Sequence, residues 1–394
     1  RCSIIRYRKF KIPLKNMKKI GIFGGTFDPV HNEHIALARA AVRELELDSL
    51  LVIPAYAAPH KNGRRETEAE YRFQMAKRAF AGIERVRVSD LELAREGTSY
   101  TYLTVEAVAR MFPDAALYFL VGGDMLRDFK TWKNPERILA AATLVAAARE
   151  GDDADFSEEA RYFGERFGKS FLRLTYRGKA VSATKIRTYL AFGLPAPDLP
   201  PAAADYIHTH ALYRGDAIAE KVARALKPAR VVHTANVVTE ALRRARSLGV
   251  EEEKAYLACA LHDCAKYLNP EDYPGADLPA DLPSPVGHAF WGAYVAEREY
   301  GVTDREVLDA VRYHTTARPG MGMLEKLVFV ADLVEEGRDY PNAPYLRSLY
   351  RNGDFGQCFK TCLFYQYEYL VRQNKPICRL TADAVAFYQK GDKR

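Results

Sequence analysis

Gly21-Ile-Phe-Gly-Gly-Thr-Phe-Asp-Pro-Val-His-Asn-Glu-His34 is an apolar run that ends in two adjacent glycines, a proline and a pair of histidines. The run Lys19–Phe23 reads as a buried strand, and Glu33–Leu45 as the helix behind it. Glycines let backbone amides come close to a phosphate, and a helix N-terminus adds partial positive charge. Histidines three apart share a helical face, so His31 and His34 can point at one anion. No G-K-[ST] follows, which excludes a P-loop, and the G-x-G-x-x-G spacing of dinucleotide sites is missing. A blander alternative stays open: a glycine-rich strand end with two surface histidines.

Outward from this stretch, short apolar runs alternate with longer amphipathic ones. Leu50–Ile53, Arg85–Val88, Ala116–Val121, Thr143–Ala147 and Phe171–Leu174 read as strands. Glu66–Ala81, Thr101–Met111, Pro135–Ala141 and Ser157–Phe167 read as helices between them. That rhythm predicts an α/β fold, a doubly wound parallel sheet with ligands at the carboxyl ends of its strands. A second block, Val181-Ser-Ala-Thr-Lys-Ile-Arg187, follows the last strand and opens a helix. Ser182 and Thr184 offer capping hydroxyls, Lys185 and Arg187 offer charge, although an ordinary capped helix would look the same.

After the proline-rich Leu194-Pro-Ala-Pro-Asp-Leu-Pro-Pro201 and a short helix, strand signals stop near residue 214. Ala229–Leu248, Glu251–Tyr267, Val286–Tyr300, Thr303–His314 and Gly322–Glu336 read as successive helices. The expected organisation is a basic tail over 1–16 (disordered or not native), a sheet domain over 17–213 and an all-α domain over 214–394.

The net charge of +7 suggests nucleic acid until it is located. Arg1, Arg6, Arg8, Lys9, Lys11, Lys15, Lys18 and Lys19 precede any acid, and the rest of the chain sums to about −1. No nucleic-acid partner and no membrane span is expected. Six scattered cysteines without a C-x-x-C pair point to a reducing, cytoplasmic setting. Oligomeric state is not legible.

The first block resembles the GGTFDPxHxGH signature of bacterial nicotinate-nucleotide adenylyltransferases, and the second resembles their ISxTxIR motif. Pro54–Lys61 is similar to the family's P-x(5)-H-K loop, Thr98–Thr101 to its TSYT segment, and Gly122-Gly-Asp124 with Trp132 to its GxD…W pair. The likeness spans residues 17 to about 213. It implies a Rossmann-like nucleotidyltransferase fold and transfer of AMP from Mg²⁺-bound ATP to nicotinate mononucleotide. Gly24, Gly25, Thr26 and Phe27 would then form the phosphate turn. His34 would meet the transferring phosphate and His31 the triphosphate. Ser182 and Arg187 would hold the β- and γ-phosphates, Thr184 would join the substrate-binding set, and Lys61 would add charge. Asp124 would reach the ribose, Trp132 would stack on the pyridine, and Thr98 and Tyr100 mark the loop reading the carboxylate. One departure is Glu33, where the family has glycine; its carboxylate has to point away from the phosphates.

From Asp216 onward only four histidines occur, His233, His262, His288 and His314, each within or at the end of an expected helix. A lone helical histidine is usually a satisfied polar residue. Asp332 inside Phe329-Val-Ala-Asp-Leu333 is less bland, because a carboxylate on an apolar face is costly unless paired or metal-bound. The order H…HD…H…H…D resembles HD-domain phosphohydrolases, and within them the bacterial symmetrical diadenosine tetraphosphate hydrolases. Leu261–Lys266, Tyr313–Met321 and Ala331–Pro341 carry that likeness. It implies two divalent metals, Fe or Mn or another: one on His233, His262, Asp263 and Asp332, the second on Asp263, His288 and His314. Lys266, Arg318 and Arg338 would neutralise phosphates. Another nucleotide substrate such as ppGpp, or a metal-bound interaction module without turnover, stays open.

Overall fold

The computed structural model describes residues 17–57, 67–150, 155–276 and 278–390. Six parallel strands form one sheet: β1 (Lys18–Gly25), β2 (Ser49–Pro54), β3 (Val86–Val88), β4 (Ala115–Gly122), β5 (Thr143–Arg149) and β6 (Leu172–Gly178), in the order β3-β2-β1-β4-β5-β6. Every strand read from the sequence is present. The near-continuous apolar runs in β2, β4 and β5 are what a sheet covered on both faces requires. Gly21, inside β1, leaves room for the opposing leucines, since a Cβ there would fall 2.6 Å from Leu47 Cδ1 and Leu50 Cδ1. The strand order reverses between β1 and β4, so a crevice opens above Gly25 and Gly122. This is the Rossmann-like topology expected.

The remaining described chain is helical. Pro228–Arg244, Glu252–Leu261, Ser284–Tyr300, Arg305–Tyr313 and Met323–Val334 pack on a core rich in alanine, among them Ala235, Ala258, Ala293, Ala310 and Ala331. Small side chains let helix axes approach closely. The expected helix over 251–267 ends at Leu261. The Cys264 amide reaches back to the Leu261 carbonyl and the Lys266 amide to the Asp263 carbonyl, so three-residue turns replace the helical ladder from His262 onward. Among the described residues, no helix is long and apolar enough to cross a membrane.

By packing, the chain divides into two units. The first runs to Ala183 and includes Pro197–Leu212; the second comprises Thr184–Ala196 and Tyr213 onward. The sequence suggested a single cut after residue 213. Residues 184–196 instead pack with the helices, where Phe192 is buried in the alanine-rich core and Tyr189 and Leu194 lie against it. Truncating Phe192 to alanine removes that ring and is expected to destabilise the helical unit by about 3–5 kcal/mol. Hydrogen exchange should show the loss in the helices of 228–334; a loss confined to the six strands would contradict this packing.

Candidate functional site

At the end of β1 the chain makes the glycine turn and enters the helix Asn32–Glu44, with His31 as the residue before its first turn and His34 within it. Phe27 holds a left-handed backbone (φ 50°). Its ring is buried against Phe23, Phe80 and the His34 ring, so only its backbone is offered to a ligand. The His31 and His34 rings stack at 3.6 Å. The His31 amide donates to His34 Nδ1 at 3.1 Å, so in the neutral ring the proton sits on Nε2. Burial, and then Arg149, lower the pKa of His31 to about 4. Burial, His31 and Arg149 together hold His34 well below its ordinary value. The pair is therefore uncharged at neutral pH. Arg149, at the end of β5, is a nearby cation that the sequence reading missed.

Glu33 is turned away from the turn. Its Oε2 accepts hydrogen bonds from the Tyr176 hydroxyl (2.7 Å) and the Lys179 amide (2.9 Å), at the end of β6. The expectation for this departure from the family pattern is met by two fixed donors. Beneath the turn lies Arg72, 1% exposed, which the sequence reading also missed. Its guanidinium donates to the carbonyls of Thr26, Ala55, Tyr56 and Thr67 at 2.6–2.8 Å. Four carbonyls from three stretches of chain are thereby tied to one cation.

A cavity of about 300 Å³ opens at the β1/β4 reversal. Gly24, Gly25, Thr26, Tyr100, Phe119 and Trp132 are among its lining residues. Five of these are sequence-predicted site residues brought together. Thr98 bridges to Ala57, and the neighbouring Ser99 hydroxyl accepts the Tyr56 and Ala57 amides, which docks this segment beside the strand β2 exit. Asp124 is exposed just past β4 and accepts the Met125 amide. Lys133, not foreseen, lies 4.3 Å above the Tyr100 ring. Lys61 lies outside the described residues. Ser182 immediately precedes the helix Ala183–Ala191, while Thr184 and Arg187 fall in the second unit, with Arg187 Nη2 3.2 Å from Thr184 Oγ1.

In the helical unit six predicted residues converge. His262 and His314 each follow the last residue of a helix; their Nδ1 atoms lie 2.6 and 2.8 Å from the Cys259 and Val311 carbonyls. His288 Nδ1 lies 3.0 Å from the Pro285 carbonyl. A carbonyl only accepts, so Nδ1 carries the proton and Nε2 presents a lone pair. His233 Nδ1 faces a carboxylate instead, Glu335 Oε1 at 3.0 Å. The Nε2 atoms meet in the centre. His233 Nε2 is 2.9 Å from Asp332 Oδ1 and 3.3 Å from His262 Nε2; His288 and His314 Nε2 are 2.9 and 3.7 Å from Asp263 Oδ1.

Ligand atoms of His233, His262 and Asp263 lie within 4.8 Å of one another, and so do those of Asp263, His288 and His314. Burial would raise both carboxyls, yet His262, His288 and His314 hold Asp263, and Arg338 and His233 hold Asp332, well below the usual carboxylate range. Asp263 Oδ1 is buried and receives no hydrogen bond. Inward lone pairs around shared carboxylates are a donor set for divalent cations, so these residues fit two metals.

Lys266 Nζ stands 3.6 Å from Asp263 Oδ1, inside the cluster. Arg338 grips Asp332, with Nη2 2.6 Å from Oδ1 and Nε on the backbone carbonyl, so it positions a carboxylate. Arg318 departs from expectation. Its guanidinium is engaged by Glu325 and Asp309, and its charge is matched there rather than offered to a phosphate. Arg230, one turn before His233 and 2.9 Å from Asp263 Oδ2, and Glu335 were both missed. The helical spacing of Arg230 and His233 was the signal for the first.

Residues 22–189 match the cytidylyltransferase-like family and residues 230–337 match the HD domain. A probable nicotinate-nucleotide adenylyltransferase of Neisseria meningitidis is 39% identical over 202 residues, covering 50% of this chain and 99% of that protein. One from Clostridium tetani is 36% identical over 200 residues, covering 50% of this chain and 100% of the relative. A solved structure of a predicted HD superfamily hydrolase involved in NAD metabolism from Clostridium acetobutylicum is 26% identical, with a TM-score of 0.40, covering 44% of this chain and 96% of that one. Likeness across the whole length of such relatives shows that the chain belongs to the nicotinate-nucleotide adenylyltransferase family, with an HD domain fused behind that family's domain.

Proposed function

We propose that the first unit transfers AMP from ATP to nicotinate mononucleotide, yielding deamido-NAD and pyrophosphate, and that the HD domain is a metal-dependent phosphohydrolase acting on diadenosine tetraphosphate. The observation that carries the first reading is the cavity between the glycine turn and Trp132 at the strand reversal. An oxygen of the mononucleotide phosphate attacks the α-phosphorus of Mg²⁺-bound ATP, and the bond to the bridging oxygen breaks to release pyrophosphate. The attacking group is already anionic, so no general base is needed, and catalysis reduces to alignment and charge stabilisation. His34 suits that role as a neutral donor through Nε2, with His31 and Ser182 holding the remaining phosphates. Trp132 and Tyr100 offer faces to the pyridine ring.

For the HD domain the carrying observation is the pair of histidine triads sharing Asp263. His233, His262, Asp263 and Asp332 would hold one cation, and Asp263, His288 and His314 the other. When bound, such a pair supplies an acidified water and neutralises charge on phosphorus oxygens. Lys266, 3.6 Å from Asp263 Oδ1, would meet the phosphate being cut. Symmetric cleavage of diadenosine tetraphosphate with one water gives two ADP. A cytoplasmic setting fits the five described cysteines, all buried with free thiols.

The test is to incubate the full chain with ATP and nicotinate mononucleotide, and separately with diadenosine tetraphosphate and Mn²⁺ or Fe²⁺, and to identify products. His34→Ala is expected to lower adenylyl transfer at least about 100-fold and to spare hydrolysis, and Asp263→Ala to do the reverse. Either change removing both activities from a folded protein would contradict separate sites. Cleavage of ppGpp in place of the dinucleotide would reassign the substrate, and bound metal without turnover would make the domain an interaction module.

Stability should depend on pH through the stacked pair. In the unfolded chain both rings titrate near 6.5; in the folded unit His31 titrates at about 4 and His34 well below 6.5. Between these values the unfolded chain binds protons that the folded rings refuse. Stability is therefore fully present above about pH 6.5 and falls as pH drops toward 4, by about 1.4 kcal/mol per pH unit from His31, with His34 acting in the same direction. Thermal unfolding between pH 4 and 8 measures this, and a His31→Gln, His34→Gln double variant should show a shallower slope.

A further inference from the structure

The helix Ala183–Ala191 opens with the second phosphate-binding block, yet its later residues reach the metal centre of the helical unit. The Tyr189 hydroxyl donates to Asn236 Oδ1 at 2.7 Å. Asn236 Nδ2 donates to Glu335 Oε2 at 2.8 Å, and Glu335 Oε1 lies 3.0 Å from His233 Nδ1. Asn236 and Glu335 are buried, and Tyr189 is partly so. The order of donors in this chain is fixed: reversing the amide would set its oxygen against the carboxylate. The Gly337 amide adds a second donor to Glu335 Oε2 at 2.6 Å. Lys185, one turn earlier on the same helix, pairs with Glu336, the residue after Glu335. The helix thus grips two consecutive carboxylates, one directly and one through Asn236.

We propose that Tyr189, acting through Asn236 and Glu335, is a positioning residue for the metal ligand His233, so that the helix bearing the second phosphate-binding block also completes the HD centre. The proposal rests on the reading of His233 as a ligand. Glu335 accepts the Nδ1 proton, which fixes the tautomer, aims Nε2 inward and strengthens it as a donor. A carboxylate free to rotate would do this less well, and Tyr189 and Asn236 remove that freedom. Tyr189 lies outside the segment matching the HD domain, residues 230–337, in the stretch 184–196 that packs with the helical unit.

The test uses the full chain, stripped with chelator and titrated with Co²⁺ while its visible absorption is followed. Tyr189→Phe keeps the ring and deletes only the hydroxyl. It is expected to weaken Co²⁺ binding about 10-fold, the low end for losing an outer-shell partner, with the thermal midpoint unchanged. In a Glu335→Gln background the same substitution should have no further effect, because the hydroxyl acts only through that carboxylate; a purely structural role would be additive. Unchanged Co²⁺ affinity in Tyr189→Phe, while His233→Ala weakens binding, would overturn the positioning role alone. Unchanged affinity in both variants would overturn the metal reading and the proposal with it.

Discussion

A buried imidazole has two nitrogens, and each needs a partner. In this chain the partner given to Nδ1 decides what Nε2 can offer. At the glycine turn, His34 Nδ1 accepts an amide, so Nε2 is left as a donor suited to a phosphate oxygen. Among the helices the assignment is inverted: His262, His288 and His314 donate through Nδ1 to the carbonyl three residues back, and Nε2 is left as a lone pair suited to a cation. One type of side chain is set up as an Nε2 donor in one unit and as an Nε2 acceptor in the other, by choice of local partner.

At His262 and His314 this choice coincides with the end of a helix, where carbonyls of the last turn lack amide donors. The ring takes one of those carbonyls, so stopping the helix and aiming the ligand are a single event. Asp263 follows at once in the turn, with its carboxylate carried into the space that the four rings enclose. In the sheet unit the comparable device is Arg72, which collects carbonyls from the glycine turn and the β2 exit on one cation. Fixed charges and fixed lone pairs reach both centres before any substrate does, which is what preorganisation means physically.

Much of this was legible in the residues. All six strands follow from apolar runs of the right length, and the helices Thr101–Met111, Pro135–Ala141 and Ser157–Phe167 match their expected bounds. The six-residue cluster of the HD domain was readable because histidine is scarce there and Asp332 sits in an apolar helix. Partners acting across long separations were not readable. Arg72, Arg149 and Glu335 look like ordinary surface charges until folding buries or gathers them. The partners of Arg318 were equally hidden: a conspicuous cation in a suggestive stretch is paired with Glu325 and Asp309. The early end of the helix at Leu261 escaped notice because apolar periodicity continues past it, while the ring of His262 competes for the carbonyls.

Membership of the two units alternates along the chain: sheet, helix 184–196, a short return over 197–212, then helices again. Such interleaving means that the coding sequence has no seam. A cut before residue 184 strips the sheet unit of Pro197–Leu212, and one after 213 strips the helical unit of Tyr189 and Phe192. No single cut in the chain therefore returns two whole units.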